Sequence, residues 1–170
     1  GDWSSDVCSS DLQGLISFGV AGGLAPELKP GTCIVASAVL SGERRMATDQ
    51  KWSQRLLQTL PNPVHGALLG VAAPVANPAD KRELYARTGA IAVDMESHVV
   101  AKAAAMHGLP MAAIRVITDP AERTIPQSAL AAMRPDGTIE VMAALSSLLR
   151  RPADLGQLMW STLDARAARA

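Results

Sequence analysis

Residues 90–121, AIAVDMESHVVAKAAAMHGLPMAAIRVITDPA, decide the fold expected for this chain. Their hydrophobic pattern predicts a short strand over 91–93, a helix over about 95–107 and a second strand over 111–117. A right-handed crossover through such a helix makes the two strands parallel. The segment therefore predicts one unit of an α/β fold, whose ligands bind at the edge where the parallel strands end.

Acidic residues follow both predicted strands. Asp94 and Glu96 come after the first strand, and Asp119 comes after the second. Because parallel strands end at the same edge of a sheet, we expect Glu96 and Asp119 to meet there.

Each carboxylate also has a structural interpretation. Glu96 in a first helical turn would interact favourably with the helix dipole, and Asp94 could cap the same helix. Asp119 could cap a turn before Pro120. The functional interpretation of Glu96 is that one carboxylate accepts hydrogen bonds from two neighbouring hydroxyls, as on a ribose. An unpaired charge at the end of an apolar strand is costly, so Asp119 is the harder residue to explain structurally.

Upstream, residues 15–18 form a short apolar strand that runs into GVAGG at 19–23. Three glycines in five positions predict a sharp turn where the backbone approaches a ligand closely. The segment lacks the Gly-Lys-Ser/Thr of a Walker loop and the full G-x-G-x-x-G spacing. A β-rich strand is expected over 32–40, followed by a polar loop over 41–48.

The remaining pattern alternates between helices and strands. A helix is expected over 51–60, and the apolar run 64–75 forms one long strand or two strands broken at a proline. Asn77 and the proline after it mark the start of a helix that runs to about Arg87. Two further amphipathic helices are expected over 139–149 and 155–168.

Composition narrows the class of protein. The chain has 170 residues, 48% of them hydrophobic, with 16 basic and 16 acidic side chains. This balance gives no electrostatic reason to bind nucleic acid, and no apolar run is long enough to span a membrane. Two cysteines do not make a disulfide framework, so we expect a cytoplasmic protein. The three histidines, His65, His98 and His107, are not spaced as ligands, so we expect no metal.

Residues 1–12, GDWSSDVCSSDL, have neither helical nor strand periodicity. We interpret them as a non-native leader, with a disordered polar N-terminus as the alternative. Residues 13–170 are then expected to form one domain.

Two separated motifs resemble a known superfamily. FGVAGGLAPELKPGTCIVAS at 18–37 is similar to the glycine-rich segment of the purine nucleoside phosphorylase and methylthioadenosine/adenosylhomocysteine nucleosidase superfamily. AVDMES at 92–97 and GLPMAAIRVITDPA at 108–121 resemble its ribose-binding Met-Glu and its strand ending in Ser/Thr-Asp. Within the superfamily, DMESHVVA, TDPA and the PDG at 135–137 look most like hopanoid-associated phosphorylases, which are thought to release adenine from adenosylhopane.

The resemblance implies roles for individual residues. Asp119 would be the general acid that protonates purine N7, and Glu96 would hold the 2′ and 3′ hydroxyls of the ribose. The rest of the nucleoside pocket would be small or apolar: Ala21, Gly22, Val93, Met95 and Thr118. No cofactor is implied, phosphate would be the co-substrate, and relatives assemble as homo-oligomers.

This chain also departs from the family pattern. Pro120 follows Asp119 where many relatives keep a free N–H, and residues 70–75 offer no clear match to the aromatic that often stacks on the base. The family's first strand and early phosphate-binding loop would precede Gln13, so we expect an N-terminally truncated chain.

The resemblance thus implies a nucleoside phosphorylase-like α/β fold, a three-layer, largely parallel mixed sheet flanked by helices. It also implies phosphorolysis of an adenosyl nucleoside. A hydrolytic nucleosidase, or a nucleoside-binding fragment without turnover, are the alternatives.

Overall fold

The computed structural model of the chain describes residues 12–125. This part holds six strands and three helices, in the order β1 (Leu15–Gly23), β2 (Cys33–Ser41), β3 (Arg44–Ala47), α1 (Gln50–Thr59), β4 (Val64–Gly70), α2 (Pro78–Thr88), β5 (Ala92–Asp94), α3 (Ser97–Met106) and β6 (Met111–Asp119). The helices predicted over 139–149 and 155–168 lie outside the described residues, as do most of the predicted leader and the PDG motif.

The strands form a six-stranded mixed sheet in the order β3-β2-β4-β5-β1-β6. The pairs β1–β6, β2–β4 and β4–β5 are parallel, whereas β1–β5 and β2–β3 are antiparallel. An additional antiparallel pairing between β2 and β6 closes β2, β4, β5, β1 and β6 into a ring. The predicted α/β fold, a mixed sheet with helices against it, is confirmed.

The helices begin where short polar side chains cap them. Asp49 accepts a hydrogen bond from the Trp52 amide at the start of α1, and Asn77 accepts one from Ala79 at the start of α2. The cap predicted at Asn77 is therefore confirmed. Gly89 ends α2 in the left-handed conformation, with φ of 65°, which glycine adopts without steric cost.

The GVAGG segment is strand rather than loop, so the turn predicted over 19–23 is wrong. β1 runs unbroken to Gly23, and none of its glycines has a positive φ. The missing side chains instead allow close packing: a Cβ on Gly19 would lie 3.7 Å from the Arg115 guanidinium. The chain turns only after Gly23.

The polar segment 41–48 also differs from its prediction. Residues Arg44–Ala47 form β3, an edge strand that pairs with the end of β2 across a turn at Gly42. Charged side chains on an edge strand discourage pairing with other chains, which explains a strand with a loop-like composition. The apolar run after Val64 forms a single strand that ends at Gly70.

The predicted parallel pairing of the strands on either side of α3 is wrong. β1 lies between β5 and β6, antiparallel to β5 and parallel to β6, so β5 and β6 run in opposite directions. The crossover rule applies only to strands that end up parallel, and a strand more than 65 residues upstream decides the pairing here. The ends that coincide are those of β1 and β6, so Glu96 and Asp119 do not follow two strands that end at the same edge, in contrast to the prediction from the sequence.

Small aliphatic side chains fill the core. Ala101 and Ala104 on α3 belong to the same buried cluster as Ala21 on β1 and Ala113 on β6. Alanine at these positions lets the helix approach the sheet closely. Within residues 12–125, no helix is long and apolar enough to cross a membrane.

Candidate active site

Three strands meet at Gly22. This residue pairs with Val93 on β5 and with Asp119 on β6. A Cβ on Gly22 would lie 3.4 Å from a methyl of Val93 and 3.6 Å from Oδ2 of Asp119. The side chains of Val93 and Asp119 therefore flank the space that a side chain at position 22 would occupy, which we call the gap at Gly22.

A bulge in β6 sets this arrangement. Ala21 pairs with Ile117, but Gly22 pairs with Asp119, so Thr118 is an extra residue in the strand. Bulges change the direction of the side chains that follow them. Thr118 is exposed, and Asp119 comes into register beside Gly22.

The carboxyl group of Asp119 contacts the ammonium of Lys81 on α2. The Lys81 Nζ lies 2.5 Å from Oδ2 of Asp119, and the exposed fractions of the two side chains are 0% and 16%. The same ammonium donates to the carbonyls of Pro120 and Arg123, each at 3.0 Å. A lysine ammonium has three donors, so all of them are used.

The sequence does not mark Lys81 as a site residue. It stands between Asp80 and Arg82 in the first turn of a polar helix, a context typical of a solvated side chain. No local pattern marks it as buried. Only the packing of α2 against the end of β6 does so.

The second oxygen of Asp119, Oδ1, differs from Oδ2 in its hydrogen bonding. Oδ1 is buried, and the described part of the chain offers it no hydrogen-bond partner. Leaving a buried acceptor unsatisfied is costly, so such atoms usually have a functional explanation. A donor on a bound ligand would satisfy it.

Asp94, rather than Glu96, caps α3. Its Oδ1 accepts hydrogen bonds from the amides of Glu96 at 3.2 Å and Ser97 at 2.9 Å, which confirms the structural interpretation of Asp94. Its Oδ2 pairs with the hydroxyl of Ser97 and with Nε of Arg115 at 2.5 Å. Both Asp94 and Arg115 are buried.

Arg115 extends this network into β1. Its Nη2 donates to the Ser17 hydroxyl at 2.8 Å, and its Nη1 donates to the carbonyl of Ile114 at 2.8 Å. Arg115 interrupts an otherwise apolar strand, which is a signal already present in the sequence. The network fixes the start of α3 relative to β1 and β6.

Glu96 occupies the N-cap position of α3 without capping it. Its side chain makes no capping hydrogen bond and is exposed. Because Asp94 has taken over the capping, the Glu96 carboxylate is available to a ligand. Met95, one residue earlier, is half-buried.

The candidate residues are thus brought together to different degrees. Gly22, Val93 and Asp119 are direct neighbours, whereas Met95 and Glu96 are connected to them through the short segment after Val93. The methyl of Ala21 belongs to the core cluster, so any contact between Ala21 and a ligand would come from its backbone.

Three further properties of the described residues bear on function. Across residues 12–125, no group of three or more His, Cys, Asp and Glu side chains could hold a metal ion. Burial raises the pKa of the Cys33 thiol on β2. A cavity of about 300 Å³ lies beside α2, lined by Leu24, Pro26, Arg82, Tyr85, Ala121 and Glu122.

Comparison with known proteins identifies the class. The family model of the Phosphorylase superfamily matches residues 7–152. Since the match spans most of the sequence, the chain belongs to the Phosphorylase superfamily. No curated protein matches the sequence.

Solved structures share the fold. The chain is similar to a futalosine hydrolase mutant of Helicobacter pylori, with a TM-score of 0.60 and 21% identity over 71% of this chain and 64% of that chain. It is also similar to a 5′-methylthioadenosine/S-adenosylhomocysteine nucleosidase from S. pneumoniae bound to a transition-state inhibitor (TM-score 0.61, 20% identity, 65% and 58% covered). The corresponding nucleosidase of Campylobacter jejuni gives a TM-score of 0.61 at 21% identity, with 66% and 58% covered. The chain thus spans less than two thirds of the length of these structures.

Proposed function

We propose that this chain carries the nucleoside site of an enzyme that cleaves the N-glycosidic bond of an adenosyl nucleoside by phosphorolysis and releases adenine. The observation that carries the proposal is the register in which Gly22 pairs with both Val93 and Asp119. It leaves a gap with a carboxylate on one wall and an apolar side chain on the other. A flat purine needs both, because its ring faces are apolar and its edge is polar.

Within this proposal Asp119 is the general acid. The O–H bond of its carboxyl breaks as purine N7 takes the proton, and the electron pair of the C1′–N9 bond moves into the base, which leaves as neutral adenine. Phosphate supplies the electron pair of the new bond to C1′. Proton donation of this kind contributes about 10²–10⁴-fold, or roughly 3–5 kcal/mol of barrier.

Glu96 is the proposed ribose ligand. Its support is that the side chain is exposed and free of the capping role, which Asp94 fills. An ionised carboxylate only accepts hydrogen bonds and has two oxygens, so it suits a pair of neighbouring hydroxyls. Met95 would pack on the sugar, and Thr118 and the backbone of Ala21 would complete the pocket.

Hydrolysis is the second candidate reaction. It differs only in that water replaces phosphate as the nucleophile. The similarity of the fold to nucleosidases and to a futalosine hydrolase favours it. Binding of nucleosides without turnover is the non-enzymatic alternative.

Further parts of the proposal rest on the sequence motifs. The resemblance of DMESHVVA and TDPA to hopanoid-associated phosphorylases makes adenosylhopane the proposed substrate. We also propose that residues 13–170 form one domain, that the protein acts in the cytoplasm without a cofactor, and that it assembles as a homo-oligomer.

Release of adenine tests the reaction. The chain is incubated with 5′-methylthioadenosine and with adenosine, with and without phosphate, and free adenine is measured by chromatography. Adenine that appears only with phosphate indicates phosphorolysis, and adenine that appears in both conditions indicates hydrolysis. Binding of the nucleosides without adenine release would contradict an enzymatic role for this chain.

A further inference from the structure

Lys81 is the one buried lysine among the described residues, and nothing in the family motifs quoted above involves it. Its ammonium is held by Oδ2 of Asp119 and by the carbonyls of Pro120 and Arg123. Taking a lysine fully out of water is costly unless each of its donors finds an acceptor. Here the chain supplies all three acceptors from one short segment, residues 119–123.

The contacts of Lys81 divide the two oxygens of Asp119. Oδ2 is bound to the ammonium, whereas Oδ1 is buried without a partner among residues 12–125. The carboxyl group therefore has one oxygen that fixes its position and one that is free to carry or accept a proton.

From this geometry we infer that Lys81 is a positioning residue for the proposed reaction, which fixes the Asp119 carboxyl group through Oδ2 for its proton exchange with the purine. The inference rests on the proposed function. When the carboxyl group gives up its proton, it becomes a carboxylate whose charge the adjacent ammonium balances. Lys81 therefore stabilises the form of Asp119 that the proton transfer creates.

The other charged groups near Asp119 do not take this role. Arg115 on β6 is paired with Asp94 on β5, on the opposite face of the sheet from Gly22. The remaining charged side chains on the neighbouring segments are exposed: Asp80, Arg82, Glu83 and Arg87 on α2, Glu96 at the start of α3, and Glu122 and Arg123 after β6. A change in pH dependence on replacing Lys81 therefore reports on the Lys81–Asp119 pair.

The test compares Lys81→Met with Lys81→Arg, Asp119→Asn and the double variant Lys81→Met/Asp119→Asn. Adenine release from 5′-methylthioadenosine is measured across pH. Lys81→Met should lower kcat by at least about tenfold and change KM little. The pH profile of kcat should change, because Lys81→Met removes the charge beside the Asp119 carboxyl group. Lys81→Arg, which keeps the charge, should recover part of kcat.

The double variant separates positioning from general damage. If Lys81 acts through Asp119, adding Lys81→Met to Asp119→Asn should cause no further loss of kcat. Lys102→Met, which removes an exposed lysine from α3, is the matched control and should change nothing. An unchanged pH profile in a folded Lys81→Met variant, or losses that add in the double variant, would overturn the inference.

Binding provides a readout that does not need turnover. A C-nucleoside analogue of adenosine, whose glycosidic C–C bond is not cleaved, is titrated calorimetrically into the unmodified chain and into Lys81→Arg across pH. Should Lys81→Met fail to fold, Lys81→Arg keeps the test decisive, because it moves the charge relative to Oδ2 and should shift the pH dependence of the Kd. If the unmodified chain binds the analogue and Lys81→Arg shows the same pH dependence of the Kd, the role of Lys81 is refuted. The proposed function is not refuted by that result. No binding by the unmodified chain refutes the proposed function and the inference with it.

Discussion

At the scale of single residues, Asp119 is the proposed general acid. Replacing it with Asn keeps its size and hydrogen-bonding edge but removes the proton donor. We expect turnover to fall by about 10²–10⁴-fold while the affinity for a nucleoside changes only a few-fold. Adenine release and calorimetry on the same preparation measure the two effects. Asp49→Asn, at the cap of α1, is the control, and unchanged turnover in Asp119→Asn would refute the acid role.

Glu96 gives the second residue-scale prediction. Replacing it with Gln introduces a donor where two ribose hydroxyls would donate, so ligands that contain ribose should bind about tenfold or more weakly. Free adenine, which has no ribose, should bind as before. Calorimetry with adenosine and adenine compares them, and Glu122→Gln serves as an exposed control. Equal losses for both ligands would contradict the ribose assignment.

Individual residues also show which parts of the candidate site could be predicted from the sequence alone. Spacing made Asp119 and Glu96 candidates, because both are acids that follow predicted strands, and the family resemblance added Val93. They could not identify Lys81, since its burial depends on how α2 packs on the far end of β6. Nor could they show that Asp94 frees Glu96 from capping, which requires the actual hydrogen-bond geometry.

At the scale of elements, the buried pair of Asp94 and Arg115 holds α3 to the sheet. Removing one partner, as in Arg115→Met, leaves the other charge buried and should lower the free energy of unfolding by about 3–5 kcal/mol. Arg87→Met removes a partner of the exposed pair with Glu83, whose contact is 3.9 Å, and should cost less than about 0.5 kcal/mol. Urea unfolding of both variants measures the contrast, and equal costs would refute it.

Adding a methyl group at Gly70 should lower stability, whereas adding one at Gly22 should lower nucleoside binding. A Cβ on Gly70 would lie 2.3 Å from Cβ of His98, so Gly70→Ala should lower the free energy of unfolding by about 1–3 kcal/mol.

A Cβ on Gly22 meets only ordinary contact distances, so Gly22→Ala should fold normally. It should nevertheless weaken nucleoside binding, because the methyl occupies the gap beside Asp119. A stable Gly22→Ala variant with unaltered binding would place the ligand elsewhere.

Elements were predictable where their signals are local. Asn77 and Pro78 mark the start of α2 by cap chemistry that needs no tertiary contact. The glycines of GVAGG permit a turn but do not require one, and in β1 they serve close packing against Arg115 and Asp119. The direction of β5 relative to β6 depends on β1 lying between them, which no pattern within residues 90–121 contains.

At the scale of the whole molecule, one face of β1 remains apolar and exposed. Ile16, Phe18 and Val20 alternate along the strand, and Phe18 is 73% exposed. The proposed homo-oligomer would cover these side chains with a second copy of the chain. We expect sedimentation to give a mass above that of the monomer, and Phe18→Ser to reduce it. A monomeric unmodified chain would contradict the oligomer.

The central claim is that one nucleoside lies between the Glu96 and Asp119 carboxyl groups, over the backbone of Gly22. A crystal structure of the chain with the uncleavable C-nucleoside analogue tests it most directly. We expect the base edge within hydrogen-bond distance of the Asp119 carboxyl group and the 2′ and 3′ hydroxyls on the Glu96 carboxylate. A nucleoside bound elsewhere, or the two carboxyl groups on opposite faces of the sheet, would contradict it.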